Sequence, residues 1–98
     1  MVTAIVLIHA DRKMINETAE ELVKTEGISE VYSVAGQWDL VAVVRAKDNE
    51  LLADIITNHM LRLPGILKTE TLIAFRALSR YDLERLFSIG FEHRESID

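Results

Sequence analysis

The sequence predicts an α+β domain in which four antiparallel strands form one sheet and two helices pack on the same face. Three observations predict it: short β-branched runs alternate with helical patterns in the order β-α-β-β-α-β, that order is one motif written twice, and the first and third strands are apolar on both faces. Subtracting Gly27 from Gly65 gives the repeat offset, 38. The same offset carries Ile28 onto Ile66, Leu22 onto Met60, Ala4 onto Ala42 and Val6 onto Val44. Two right-handed β-α-β units joined in this way make the split β-α-β, ferredoxin-like sheet.

The first strand starts at Val2 with "VTAIVLI", short and rich in β-branched residues. In "MINETAEELVKTEG" the residues Ile15, Ala19, Leu22 and Val23 recur at helical spacing, charged side chains fill the other face, and Gly27 stands where a C-terminal cap belongs. Residues 28–35 and 38–46 read as two strands around Gly36, close enough to pair as a hairpin. Asp48 or Asn49 can cap the second helix, whose stripe is Leu52, Ile55, Ile56, Met60 and His59 before the stop at "LPG". Residues 66–75 supply the fourth strand. In "SRYDLERLFSIGF", Ser79 and Asp82 resemble a capping box and Leu83, Leu86 and Phe87 form a stripe, which predicts a short C-terminal helix. The division is a domain over residues 1–78 and a helical extension and tail over 79–98.

The central strands set a problem of cover. Val2, Ala4, Val6 and Ile8 alternate with Ile5 and Leu7, and Leu40, Ala42 and Val44 alternate with Val41 and Val43. Two helices cover one of those faces only. A short C-terminal helix cannot blanket the other, and an apolar face of several hundred Å² marks an interaction surface. The expectation is an obligate dimer packed sheet against sheet, the alternative being a monomer with the C-terminal helix folded beneath.

At 98 residues and 49% hydrophobic composition the chain makes one domain, with a core that buries roughly two-thirds of its unfolded surface. The 11 basic and 16 acidic side chains give a net charge of -5, which opposes direct contact with a nucleic-acid backbone. There is no cysteine, so disulfides, thiolate catalysis and most structural zinc sites are excluded, and a cytoplasmic location is expected. "MVTAIVLIHAD" meets a charge at Asp11 after a short apolar run, which fits neither a signal peptide nor a membrane span.

Few residues carry chemistry. His9, His59 and His93 show no metal-ligand spacing, no nucleophile elbow or phosphate-cradling glycine loop is present, and no cofactor is implied. "NETAEE" and "HRESID" read as a solvated helix face and a tail. What remains is Gly36, Gln37, Trp38 and Asp39 at the hairpin, with Thr69 and Thr71 on the last strand. Taken singly, Gly36 suits a turn needing positive φ, Trp38 a hairpin-end aromatic pair, and Asp39 a bond to turn amides. Taken together, a carboxylate, an amide, open backbone N–H groups and hydroxyls suit a small zwitterion, with acceptors for an ammonium and donors for a carboxylate.

"VAGQWDLVAVVRAKDNELL" followed by "LPGILKTETLIAF" closely resembles the effector-binding RAM domain of the Lrp/AsnC regulators of amino-acid metabolism. The likeness runs from about Val2 to Phe75 and rests on G-x-x-D opening a strand, L-P-G-I and T-x-T; "AFRALSRYDLERLFSIGF" is similar to the C-terminal extension of some members. It implies sheet-to-sheet dimers of the dimeric α+β barrel type, assembled into rings of four dimers, with an amino acid bound between neighbouring dimers. By the same resemblance Gly36, Gln37, Trp38, Asp39, Thr69 and Thr71 would line that site, Trp38 standing where many members carry a smaller aromatic residue. The chain starts directly at the first strand and so resembles a stand-alone RAM protein without the DNA-binding helix-turn-helix, modulating full-length relatives through mixed oligomers or sensing amino acids for another partner.

A rival reading is an enzyme. Cofactor-free monooxygenases share the dimeric α+β barrel, and Trp38, His59, Asn58 and Tyr32 could serve one. Trp38 at a turn and an aliphatic core argue against it, and a cavity lined by both His59 and Tyr32 would argue for it.

Overall fold

The computed structural model describes residues 1–76, Leu78 and Arg80. The expected C-terminal helix lies, apart from Arg80, outside the described residues, as does His93. Strand β1 (Val2–Ala10) runs into a 3₁₀ turn (Arg12–Met14) and helix α1 (Ile15–Lys24). Strands β2 (Ile28–Ser33) and β3 (Leu40–Ala46) follow, then helix α2 (Asn49–Asp54), a π-helical segment (Ile55–Met60) and β4 (Ile66–Ala74). All pairings are antiparallel in the order β2-β3-β1-β4, so β1 and β3 are central as their two-sided apolar pattern requires. Among the described residues no helix is long and apolar enough to cross a membrane.

The strand alternation sorts the two faces. Ala4, Val6, Ile8 and Ala10 of β1 and Leu40, Ala42, Val44 and Ala46 of β3 are buried beneath the helices, where Leu22, Leu52, Ile55 and Met60 meet them. Each large side chain in that layer contributes about 1.5–3 kcal/mol by leaving water. The opposite face carries Ile5 and Leu7 beside Val41 and Val43, with Leu72 opposite Ile5 and Tyr32 opposite Val41. Ile5, Leu72 and Tyr32 are exposed there, so within one chain the second face has no cover among the described residues.

Several details depart from periodicity. Val23, placed on the buried stripe of α1, is exposed, and Thr18 is buried in its stead. His59, placed on the buried stripe of the second helix, is more than half exposed. The reason is the π-helical winding: the Leu61 amide donates to Ile56 O, five residues back, at 2.9 Å. Ile55 and Met60, also five apart, then both face the core, and His59 swings outward. Asp48 caps α2 through its Oδ1, which accepts from the Leu51 amide at 2.8 Å.

The repeat locks its halves together. Gly27, at φ 98°, follows α1, and a Cβ there would overlap Ile55 Cδ1 on the second helix. Gly65 follows the second helix, and a Cβ there would overlap Thr18 Oγ1 on α1. Each glycine thus lets its own half sit flush against the helix of the other.

Candidate functional site

One end of the sheet gathers the last residues of β1, the β2–β3 connection and the start of β4. Here the Asp11 amide donates to Gly65 O at 2.8 Å, the β1–β4 register shifts between His9 and Ala10, and the Ala10 amide looks toward β3. Asp39 receives it: Oδ2 accepts from the Ala10 amide at 2.9 Å. The Asp39 amide donates to Ile8 O at 2.9 Å, and its carbonyl accepts from the Val34 amide at 3.0 Å. Asp39 was expected to satisfy turn amides close by; its carboxylate instead bonds a strand 29 residues away. The two strands stop at Ser33 and Leu40, short of the expected residues 35 and 38. Beyond the backbone bonds of Asp39, its side chain supplies the next acceptor for β1.

Trp38 stacks on His9, the ring centroids 4.3 Å apart and the planes 20° from parallel. His9 Nδ1 stands 3.7 Å from Asp39 Oδ2, an ion pair whenever the imidazole is protonated. Gly36 has φ 127°, as a turn glycine should, with nothing within 4 Å of where a Cβ would stand. The amides of Gly36, Gln37 and Trp38 and the second carboxylate oxygen of Asp39 make no hydrogen bond among the described residues. The mouth therefore offers three open donors, one open anionic acceptor and an aromatic wall.

The two threonines are less close to it. Thr69 lies opposite Ile8 and Thr71 opposite Val6, which puts both on the helix-facing side of β4. Thr69 flanks the mouth across β1, whereas Thr71 lines a groove of about 440 Å³ with Leu52, Ile56 and Ile73. His9, left out of the predicted set, is the member that sequence reasoning missed. Its position near the end of the first strand was the available signal, but only the register brings it to Trp38.

The cleft that His59 lines does not bring in the other residues of the enzyme reading, Tyr32, Asn58 and Trp38, and Asn58 donates to Asp54 at 2.6 Å. Tyr32 stands on the open sheet face, its phenol donating to the Glu30 carboxylate. That hydrogen bond and the Glu30 charge hold the phenol above its ordinary pKa of 10.0, with Arg45 opposing. Replacing Glu30 by Gln is therefore expected to bring the Tyr32 pKa down, measured by following the ring resonances with pH; an unchanged midpoint would contradict the assignment. Among the described residues no cluster of three or more His, Asp or Glu could hold a metal ion.

Comparison with known proteins places this geometry in a family. The family model of the Lrp/AsnC ligand binding domain matches residues 3–83. An uncharacterized helix-turn-helix-type transcriptional regulator of Pyrococcus horikoshii is 36% identical over 59 residues, 60% of this chain and 39% of the regulator. The chain thus spans well under half the length of that curated relative. The crystal structure of TTHA0845 from Thermus thermophilus superposes with a TM-score of 0.76 at 46% identity, covering 82% of this chain and all of that one. A feast or famine regulatory protein from Mycobacterium tuberculosis, solved complexed with L-methionine, has the same fold at a TM-score of 0.69 and 22% identity, covering 81% of this chain and 53% of that one. With a family model matched across the whole sheet and both helices, the chain belongs to the Lrp/AsnC ligand-binding domain family.

Proposed function

We propose that this domain is an amino-acid sensor for transcriptional regulation, binding a free amino acid at the mouth formed by Gly36, Gln37, Trp38 and Asp39, with Thr69 as a hydroxyl contributor. The observation that carries the reading is the pairing of open groups there: three unbonded amides beside one unbonded carboxylate oxygen. The amides receive the α-carboxylate, Asp39 receives the ammonium, and the indole face of Trp38 meets the side chain. The methionine bound to the Mycobacterium tuberculosis relative supports the ligand class.

Assembly completes the proposal. Ile5, Leu7, Val41, Val43 and Leu72 of the open face pack against the same face of a second copy, giving a dimeric α+β barrel, and dimers join as a ring of four with the mouths at their contacts. Co-assembly with full-length Lrp/AsnC regulators delivers the output to a promoter. Thermal unfolding against a panel of free amino acids tests the sensor. A ligand at about one hundred times its dissociation constant adds roughly 2.7 kcal/mol, several degrees for a domain of this size. A selective upward shift is expected; no shift with any amino acid at millimolar concentration would refute the reading.

A further inference from the structure

Trp38 and Asp39, two residues of the mouth, both reach one side chain on the neighbouring strand. His9 stacks on Trp38 with the ring centroids 4.3 Å apart, and its Nδ1 stands 3.7 Å from Asp39 Oδ2. That oxygen already accepts from the Ala10 amide, so the imidazole flanks the occupied side of the carboxylate and leaves the other oxygen open. The stack occupies one face of the indole, and a ligand side chain has the other to meet. The His9 and Asp39 side chains are 37% and 28% exposed, so solvent delivers and removes protons at the imidazole without any rearrangement of the mouth.

Protonation changes what this arrangement offers. With His9 neutral, no cation stands beside Asp39 and its carboxylate acts undiminished on an ammonium. With His9 protonated, the imidazolium pairs with Oδ2, and an ammonium brought to the other oxygen meets a like charge close by. The α-carboxylate of a bound amino acid does not share in that competition, since it lies on the separate backbone donors of Gly36, Gln37 and Trp38. The remaining charges around His9 are fixed ones. Lys68 stands opposite His9 on β4, and Glu70 lies two residues on, opposite Leu7 and on the same face. Neither makes an ion pair among the described residues. Along the chain come Asp11, which accepts from the Lys13 amide, and Arg12 and Lys13 themselves. Between about pH 5 and 8, ammonium, guanidinium and carboxylate groups ordinarily keep their charge while an imidazole gains or loses its own. A change of charge at the mouth over that interval therefore falls to His9.

We infer that His9 is a positioning residue of the amino-acid site whose proton sets the affinity: neutral, it props Trp38 and leaves Asp39 to the ligand; protonated, it competes for Asp39 and weakens binding. This role rests on the sensor reading. The test uses the full chain carrying His59→Gln and His93→Gln, in which His9 is the one imidazole and Trp38 the one indole. Without ligand, Trp38 emission is expected to fall between pH 7.5 and pH 5.5, because an imidazolium quenches an indole stacked on it, and to stay level once His9→Gln is added. Calorimetric titration at both pH values starts with L-methionine, a zwitterion throughout this interval, and continues through the other free amino acids except histidine. Affinity is expected to be roughly three- to tenfold weaker at pH 5.5, the modest size following from screening at a partly exposed pair, with protons released on binding. The difference between the two pH values should vanish with His9→Gln. Equal affinity at both pH values, an undiminished difference in His9→Gln, or Trp38 emission indifferent to His9 would each overturn the role of His9 and leave the sensor standing. Failure of every amino acid to bind at either pH would overturn the sensor reading and this role with it.

Discussion

Replacing Asp39 by alanine is expected to abolish amino-acid binding and to lower stability at the same time, whereas replacing it by asparagine separates the two effects. The Asp39 side chain has two tasks on its two oxygens. Oδ2 satisfies the amide of the buried residue Ala10, which has no strand partner there because the β1–β3 ladder ends at Ile8 and Leu40. Removing that acceptor leaves a buried donor unpaired and costs about 1–3 kcal/mol. The other oxygen is open to a ligand, and under the proposed function it holds an ammonium. Asparagine keeps an acceptor for Ala10 while discarding the charge, so Asp39→Asn should unfold near the parent temperature yet bind roughly ten- to a hundredfold more weakly, as expected for losing one charge-assisted hydrogen bond. Calorimetric titration with the amino acid that shifts unfolding most, alongside denaturation of both variants, provides the check. Parent-like affinity in Asp39→Asn would remove the carboxylate from the site; parent-like stability in Asp39→Ala would remove it from the scaffold.

The largest expected change in stability comes from a methyl group at position 65. A Cβ on Gly65 would overlap Thr18 Oγ1 and lie 3.2 Å from Thr18 Cβ and 3.5 Å from Met14 Cβ. Thr18 is buried on α1, and its hydroxyl has no hydrogen-bond partner among the described residues. Buried side chains around it leave little room for the hydroxyl to give way. Gly65→Ala is expected to cost about 3 kcal/mol through overpacking, lowering the melting temperature by roughly 10 °C or more. Thr18→Ala alone removes a buried, unpaired hydroxyl and should be neutral or mildly stabilising. In the double variant the 3.2 Å contact with the Cβ of residue 18 is the one tight contact that persists, so most of the loss should be recovered. Purely additive effects in that cycle would show that the two residues do not press on one another.

The strands were legible because short β-branched runs stand between turn residues, and because the offset between Gly27 and Gly65 repeats their order. The central places of β1 and β3 followed from their apolar residues on both faces. The π-helical segment was not legible: a stripe counted at helical spacing takes His59 inward, and nothing in "DIITNHM" records that the winding puts Met60 there instead. At the mouth, Gly36 announced its positive φ, and the cluster from Gly36 to Asp39 was found by residue type. The partners of that cluster were not, since the Trp38 stack on His9 and the Asp39 bond to Ala10 both depend on strand register. Thr71 illustrates the same limit. Its hydroxyl suits a ligand site, but lying opposite Val6 commits it to the side of the sheet facing α2.

The strand order has a consequence for how the chain is made. β1 lies between β3 and β4, and its pairing with β4 joins Thr3 to Ala74, nearly the full length of the described chain. During synthesis the first strand leaves the ribosome with no neighbour, gains β3 only when residue 46 is out, and cannot fill its second edge until β4 has followed. Pairings between such distant residues make folding slow relative to a helical domain of equal length. For that interval "VTAIVLI" presents an apolar edge, and a nascent chain carrying it depends on chaperones or on low local concentration to avoid pairing with its neighbours on the same message.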